Sequence, residues 1–272
     1  MTKITTSLGP LYVDIQGNAD EPTALLWPSL FTDHSMWRHQ VAALRQQGWR
    51  TLALDPPGQG QSPGVGRRFT MDECAEAAIQ VLDATETRSP ALLLGTSWGG
   101  FVAPRIASRA PDRVRGMVLF ATSAGQPTWF ERMRARLLTK LYQVSLFDGM
   151  VDQMILSLML SPDTLRNRPE TGAEVARRLR EWDRQGLVVT VQSVLVDRTP
   201  VLDALCGVKA PTSLVSGADD RLLPAVHSQR MAESLPNARH VDVPKAAHLI
   251  PLEAPDVANS LILDFVERLP RN

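Results

Sequence analysis

An α/β fold is expected from the sequence: a mostly parallel central sheet flanked by helices, with an all-helical segment inserted after the sixth strand. Three observations point there. Short apolar runs alternate with segments of helical period along most of the chain, as βαβ units require. The alternation stops between residues 126 and 205, where no convincing core strand occurs. A serine among glycines, GTSWGG, stands between one apolar run and the helical segment that follows it.

The first segment, Ile4–Gln16, has the pattern of an antiparallel hairpin around Gly9-Pro10 at a sheet edge. Ala24–Trp27, Thr51–Leu54, Ala91–Leu94 and Val114–Phe120 are apolar runs of strand length, and Thr212–Val215 and Arg239–Val243 follow after the insertion. Between them lie helices. Met36–Gln47 ends at Gly48, Thr70–Ala84 opens with a Thr cap and Asp-Glu in its first turn, and Trp98–Arg109 stops before Pro111. Pro104 removes one hydrogen bond of that last helix, to the Gly100 carbonyl, and predicts a local kink. Pro224–Ser234 and Asp256–Arg268 are two further helices.

The insertion divides into four helical pieces. In the first, Phe130, Met133, Leu137, Leu141 and Val144 recur every three or four residues and give one apolar face. Arg132, Arg134, Arg136 and Lys140 make the same piece basic and are expected on a solvated outer face. Met150–Leu160 is methionine-rich and ends at Pro162. Glu174–Arg184 carries Val175, Leu179 and Trp182 on one face before Gly186. Leu187–Val196 is ambiguous, because its β-branched residues favour a strand and its flanks a helix. Residues 1–125 with 206–272 are thus the expected core, and 126–205 a helical lid over the C-terminal edge of the sheet.

A chain of 272 residues accommodates one α/β domain with such an insertion. Lys plus Arg (29) equals Asp plus Glu (29), so no net field favours nucleic acid or anionic membranes. No run of ~18 apolar residues marks a membrane span. MTKITTSLGPLYVDIQG has no apolar stretch after Lys3 of the kind a secretory signal needs, and a cytoplasmic location is expected. Cys74 and Cys206, in apolar contexts far apart, are expected to be reduced, buried thiols.

Gly-x-Ser-x-Gly occurs twice, as GQSPG around Ser62 and GTSWG around Ser97. The pattern arises by chance in roughly one chain in ten of this length, so its setting has to decide. A nucleophilic serine needs a strand-to-helix turn, close-packing glycines and an N–H on the next residue for the oxyanion. Ser62 lacks them: its strand ended at Leu54, no helix follows at once, and Pro63 has no N–H. A surface turn is expected there. Ser97 has all three, with Trp98 as the donor and the positive end of a helix behind it.

Such a serine also needs a base and a residue to orient the base. His34 and His39 lie at the start of the first helix, His227 in a late helix and His240 on the last strand. His248 sits in PKAAHLIPLEAP, a loop after the last strand, from which a side chain can reach over the sheet edge. The acid should follow an intervening strand. ATSAGQ offers no carboxylate, whereas SGADDRLLP offers Asp219 and Asp220, either of which could instead cap the helix near Pro224. No Cys/His cluster has metal-ligand spacing, and the chemistry needs neither metal nor cofactor.

GTSWGG, SGADDRLLP and AAHLIPLEAP in that order resemble the α/β-hydrolase fold superfamily over essentially the whole chain. ALDPPGQGQS stands where members carry an Asp-x-x-Gly-x-Gly-x-Ser loop. The resemblance implies Ser97 as nucleophile, Asp220, the fourth residue of Gly-x-x-Asp, as acid and His248 as base, and matches residues 126–205 to the family's cap. One departure stands out. Most members carry His-Gly after the strand Ala24–Trp27, whereas this chain has LLWPSLFTDHSMW. The tract is similar to that of 3-oxoadipate enol-lactonases at Ser29-Leu30, Thr32-Asp33 and Ser35-Met36-Trp37, while Pro28 and Phe31 replace their Asn and Gly. Pro28 cannot donate, so the implied oxyanion donors are the Leu30 and Trp98 N–H groups. Phe31, in place of that Gly, is then expected to narrow the acyl side of the pocket.

Ser29, Phe31, Met150, Met154 and Leu249 are the expected pocket residues, with the methionines adapting to an irregular ligand. The implied function is a serine hydrolase that cleaves a carboxylic ester or lactone of a small, largely apolar molecule through an acyl-enzyme. Acyl-homoserine lactone hydrolysis, cofactor-free perhydrolysis and carbon–carbon bond hydrolysis use the same triad and stay open at this point. A small-molecule receptor built on the same body is a different class of answer, and multiple turnover of an ester separates it.

Overall fold

A computed structural model describes residues 2–143 and 148–269. Val144, the last residue of the expected apolar face of the first inserted helix, lies outside the described residues. Strands β1 (Thr2–Thr6), β2 (Gly9–Gln16), β3 (Thr23–Trp27), β4 (Arg50–Leu54), β5 (Ala91–Thr96), β6 (Val114–Phe120), β7 (Thr212–Gly217) and β8 (Ala238–Val243) form one sheet in the order β1-β2-β4-β3-β5-β6-β7-β8. The pairs β1–β2 and β2–β4 are antiparallel and the others parallel. Strands β3, β4 and β5 are buried at every position, which is why they read as continuous apolar runs and not as alternating ones. The hairpin turns at Ser7-Leu8, two residues before the expected Gly9-Pro10. Pro10 is tolerated inside β2 because it lies at the end of that strand that β4 does not reach.

A 3₁₀ turn at His34–Trp37 leads into α1 (Arg38–Gln46). Helix α2 (Met71–Ala84) begins at the expected Thr70, whose hydroxyl accepts the Glu73 N–H while the Glu73 carboxylate accepts the Thr70 N–H. Helix α3 (Trp98–Arg109) runs through Pro104. The insertion holds α4 (Trp129–Gln143), α5 (Asp148–Met159), α6 (Pro162–Asn167), α7 (Pro169–Glu181) and α8 (Arg184–Val191), the last continuing as a π-helical turn, Gln192–Val196. The chain closes with α9 (Val226–Ser234), α10 (Ile250–Glu253) and α11 (Pro255–Glu267).

The ambiguous Leu187–Val196 is helical. Asp183 supplies the start signal by accepting the Gln185 and Gly186 N–H groups, so Gly186 opens that helix and does not stop the one before it. Helix α7 starts at Pro169, five residues before the expected Glu174, as a proline at the first helical position allows.

The expected apolar face of α4 is turned outward. Phe130, Met133 and Leu137 are exposed, and the buried side is Ala135, Leu138, Thr139 and Tyr142. Two stripes of helical spacing interleave on α4, and the one with the smaller and more polar side chains faces the interior. Arg134 belongs to that inward stripe and not to a purely solvated face. Cys74 is buried, and burial pushes its thiol well above the ordinary range, whereas Cys206 is exposed because Leu205 is the inward residue of its 3₁₀ turn. Both are free thiols. Among the described residues no helix is long and apolar enough to cross a membrane.

Candidate active site

The turn that ends β5 puts Ser97 at φ 51° and ψ −101°, a region that non-glycine residues seldom occupy. Three bonds hold it there. The Ser97 N–H donates to the Phe120 carbonyl (2.8 Å), and its own carbonyl accepts the Thr122 hydroxyl (3.0 Å) and the Phe101 N–H (3.0 Å). The flanking glycines are required by close approach. A Cβ on Gly95 would lie 2.4 Å from the Gly99 carbonyl carbon, and one on Gly99 would lie 2.1 Å from the Trp27 oxygen. The second contact draws the loop after β3 against the start of α3, and the Trp27–Gly95 register does the same from the sheet. Trp98 is the first residue of α3, where a backbone N–H has no acceptor within the helix.

That loop, residues 28–33, is buried. Gln59 pins it: its side-chain oxygen accepts the Phe31 N–H (2.6 Å), and its amide donates to the carbonyls of Thr32 (2.8 Å) and Ser29 (3.3 Å). The Leu30 N–H donates to nothing among the described residues. Phe31 has φ 66°, a conformation glycine adopts freely, and it is the position where the enol-lactonase tract has Gly. Asp55 braces the far side, accepting the His34 N–H (2.8 Å), its Nδ1–H (2.7 Å) and the Gln61 N–H (2.7 Å). Burial pulls the His34 pKa down, but the bond to Asp55 and its charge outweigh that and raise it above the ordinary value. Asp33, His34 and Asp55 are close enough together to suggest a cation site, yet Asp33 already pairs with Arg178 and Ser35, and Asp55 with the donors just named. Ser62 is no surface turn. It keeps 5% exposure, donates to the Asp55 carbonyl (2.7 Å) and accepts the Tyr12 N–H (2.8 Å), tying the Asp55 loop to β2.

Of the two aspartates, Asp219 is exposed and Asp220 buried. Asp220 Oδ2 lies 2.8 Å from His248 Nδ1, both side chains are fully buried, and Asp220 Oδ1 accepts the N–H groups of Leu222 (2.8 Å) and Leu223 (3.0 Å). The loops carrying them meet where a Cβ on Gly217 would strike the Ala247 oxygen at 2.1 Å. His248 Nε2 is buried and has no hydrogen-bond partner among the described residues, Ser97 included. Such bonds often close only once a substrate is seated. The other histidines are engaged elsewhere or outside: His240 meets Ser216, His227 meets Ser123, and His39 is on the surface.

Glu253 was not anticipated from the sequence, although it lies inside the quoted HLIPLE stretch. Its Oε1 accepts the N–H groups of Ala247 (2.9 Å) and Leu249 (3.2 Å), the two neighbours of His248. Its Oε2 accepts the Ser161 N–H (2.6 Å) and the Thr164 hydroxyl (2.9 Å) at the start of α6. One buried carboxylate thus fastens the His248 loop to the inserted helices. Glu253→Ala leaves two buried N–H groups, those of Ala247 and Ser161, without an acceptor, removes the acceptor of the Thr164 hydroxyl, and is expected to cost about 3–5 kcal/mol of stability. Urea unfolding measures this, and a loss below about 1 kcal/mol would mean that the clasp contributes little.

Ser97 opens into a cavity roofed by α4 and α5 and walled by Phe31, Phe101, Leu138, Ile155 and Met159. Leu222 and Leu223, held by Asp220, line it too, which brings the Asp220–His248 pair to the same space. Of the five expected pocket residues, Phe31 lines it. Ser29 is buried within its loop, its hydroxyl unpaired among the described residues, and Leu249 is buried with its N–H shared between the Met159 carbonyl and Glu253. Met150 is exposed and Met154 packs against the core, because the face of α5 toward the cavity is Ile155, Leu158 and Met159. Arg198, also unforeseen, lines the cavity with Glu131 and Arg134.

Residues 22–255 match the sequence model of the alpha/beta hydrolase fold. The chain is 29% identical over 255 residues to a non-heme haloperoxidase of Rhodococcus erythropolis, covering 89% of each protein. It is 30% identical over 224 residues to a pimeloyl-[acyl-carrier protein] methyl ester esterase of Neisseria meningitidis serogroup B, covering 80% of this chain and 83% of the relative. Among solved structures, the enol-lactonase from Burkholderia xenovorans LB400 superposes with a TM-score of 0.89 over 98% of this chain and 100% of that one, at 22% identity.

Proposed function

The chain belongs to the α/β hydrolase fold family, and from that premise we propose that it is a serine hydrolase cleaving a carboxylic ester or lactone of a small, largely apolar substrate. The observation that carries this reading is the buried Asp220–His248 pair, whose unpartnered Nε2 belongs to the loop system bordering the cavity that holds Ser97. The esterase and lactonase among its relatives and structural neighbours point the same way.

In this reading His248 takes the Ser97 proton as the hydroxyl attacks the carbonyl carbon. Asp220 fixes the proton on Nδ1, so that Nε2 can accept, and stabilises the imidazolium that forms. The negative charge that develops on the carbonyl oxygen is met by the Leu30 and Trp98 N–H groups, each worth about 2.7–4 kcal/mol in comparable sites. His248 then returns its proton to the departing alkoxide. A water deprotonated by His248 attacks the acyl-enzyme and releases the acid. Residues 126–205 act as the lid over this reaction, and residues 1–125 with 206–272 as the body that carries the triad.

A fluorophosphonate ester tests the assignment, because it forms a stable bond only with an activated serine. One equivalent is expected to be taken up, with mass spectrometry placing the adduct on Ser97. An adduct on Ser62, or none, would overturn the proposal.

A further inference from the structure

The cavity beside Ser97 is apolar except for a few groups, and one of them is a buried cation. Arg198 keeps 5% of its surface exposed and lines the same cavity as Ser97. Its Nη1 donates to the carbonyls of Gly125 (2.9 Å) and Ser123 (3.4 Å), and its guanidinium lies 3.9 Å from the centre of the Phe101 ring. Among the described residues it forms no ion pair, its buried Nε has no acceptor, and its Nη2 makes no hydrogen bond. The Nε–Nη2 edge of a guanidinium is one of the two edges that bind a carboxylate with two parallel hydrogen bonds.

Burial, and then the Arg105 charge, pull the Arg198 pKa down, Glu131 opposes them and Arg132 adds to the fall. The result is about 10, so the group stays charged at neutral pH. Glu131 is the acid best placed to neutralise it, but its Oε2 accepts the Thr128 N–H at the start of α4 (2.5 Å). A buried, charged guanidinium with donors to spare is costly unless an anion meets it.

We propose that Arg198 is the anion subsite of the active-site cavity and that the acyl part of the substrate carries a second, free carboxylate. This rests on the serine hydrolase reading above. In that mechanism the alcohol leaves first and the acyl part stays bound, so a deeply buried subsite suits the acyl part. The apolar walls between Arg198 and Ser97 then accommodate the methylene chain joining the carboxylate to the scissile carbonyl.

The test compares p-nitrophenyl hemiesters of glutarate and adipate with the same esters carrying a neutral terminal amide. Wild-type protein is expected to favour the carboxylates in kcat/KM on the order of 10- to 100-fold, the worth of a charged hydrogen-bonded pair. In Arg198→Met that ratio is expected to fall to within threefold of one, and Arg198→Lys to retain part of it. A ratio near one in the wild type overturns the inference without any variant, even if Arg198→Met fails to fold. So does a ratio that survives in a folded Arg198→Met. Calorimetric titration of wild-type protein with adipate and adipamide reads the subsite apart from turnover. Adipate binding that Arg198→Met loses, in a protein whose Ser97 takes no fluorophosphonate, would keep the anion subsite and discard the hydrolase reading. Hydrolysis through Ser97 with no preference for carboxylates would do the reverse.

Discussion

Ser97→Ala is expected to lower kcat/KM for aryl esters by about 10⁴- to 10⁶-fold while the protein stays folded. Among the described residues the Ser97 side chain makes no hydrogen bond, and the turn is fixed through its backbone by Phe120, Phe101 and Thr122. Alanine at φ 51° is no more strained than serine there. In the proposed mechanism the substitution removes the nucleophile and leaves substrate binding and the Leu30 and Trp98 amides. Ester turnover measured over several enzyme equivalents, beside an unfolding curve, checks both halves. Turnover within tenfold of wild type would remove Ser97 from the chemistry.

Asp220→Asn is expected to cost about 10⁴-fold in kcat at neutral pH with little loss of structure. An asparagine can still accept the Leu222 and Leu223 N–H groups through its remaining oxygen, as Asp220 Oδ1 does. Its amide then takes the place of Oδ2 beside His248 Nδ1. An amide donates where the carboxylate accepted, so Nδ1 must become the acceptor and the ring proton moves to Nε2. A protonated Nε2 cannot take the Ser97 proton. The fluorophosphonate rate should fall with kcat, since it depends on the same proton transfer. A variant with near wild-type kcat would mean that Asp220 has no part in orienting the base.

Much of this architecture was legible in the residues. Strands β3, β4 and β5 announced themselves as apolar runs because both of their faces are covered, whereas the edge strand β8 is mostly half-buried. Helix α3 matched its expected limits because Ser97 and Pro111 bound it locally. Pro63 told Ser62 apart from Ser97, and Ser62 turned out to be an internal bracket and not a surface turn. Among the histidines, position after the last strand singled out His248, and the structure puts it on Asp220 and not on Asp219.

The misreadings share one cause. Periodicity on α4 offers two stripes, and the larger side chains of Phe130, Met133 and Leu137 favour the wrong one. Which stripe faces inward depends on the cavity beneath, and the cavity is made by other segments. Met150 and Met154 were expected in the pocket on composition, yet the phase of α5 turns Ile155, Leu158 and Met159 toward it.

Chain order and local residue types were enough to settle the fold and to nominate the serine and the other two candidate triad residues, because those readings depend on neighbours a few positions apart. Glu253 reaching Ser161 across 92 positions, Gln59 reaching Phe31 across 28, and Arg198 reaching Ser123 across 75 left no such trace. A buried polar group is defined by the partner that satisfies it, and that partner comes within reach only once the sheet, its loops and the inserted helices are packed together.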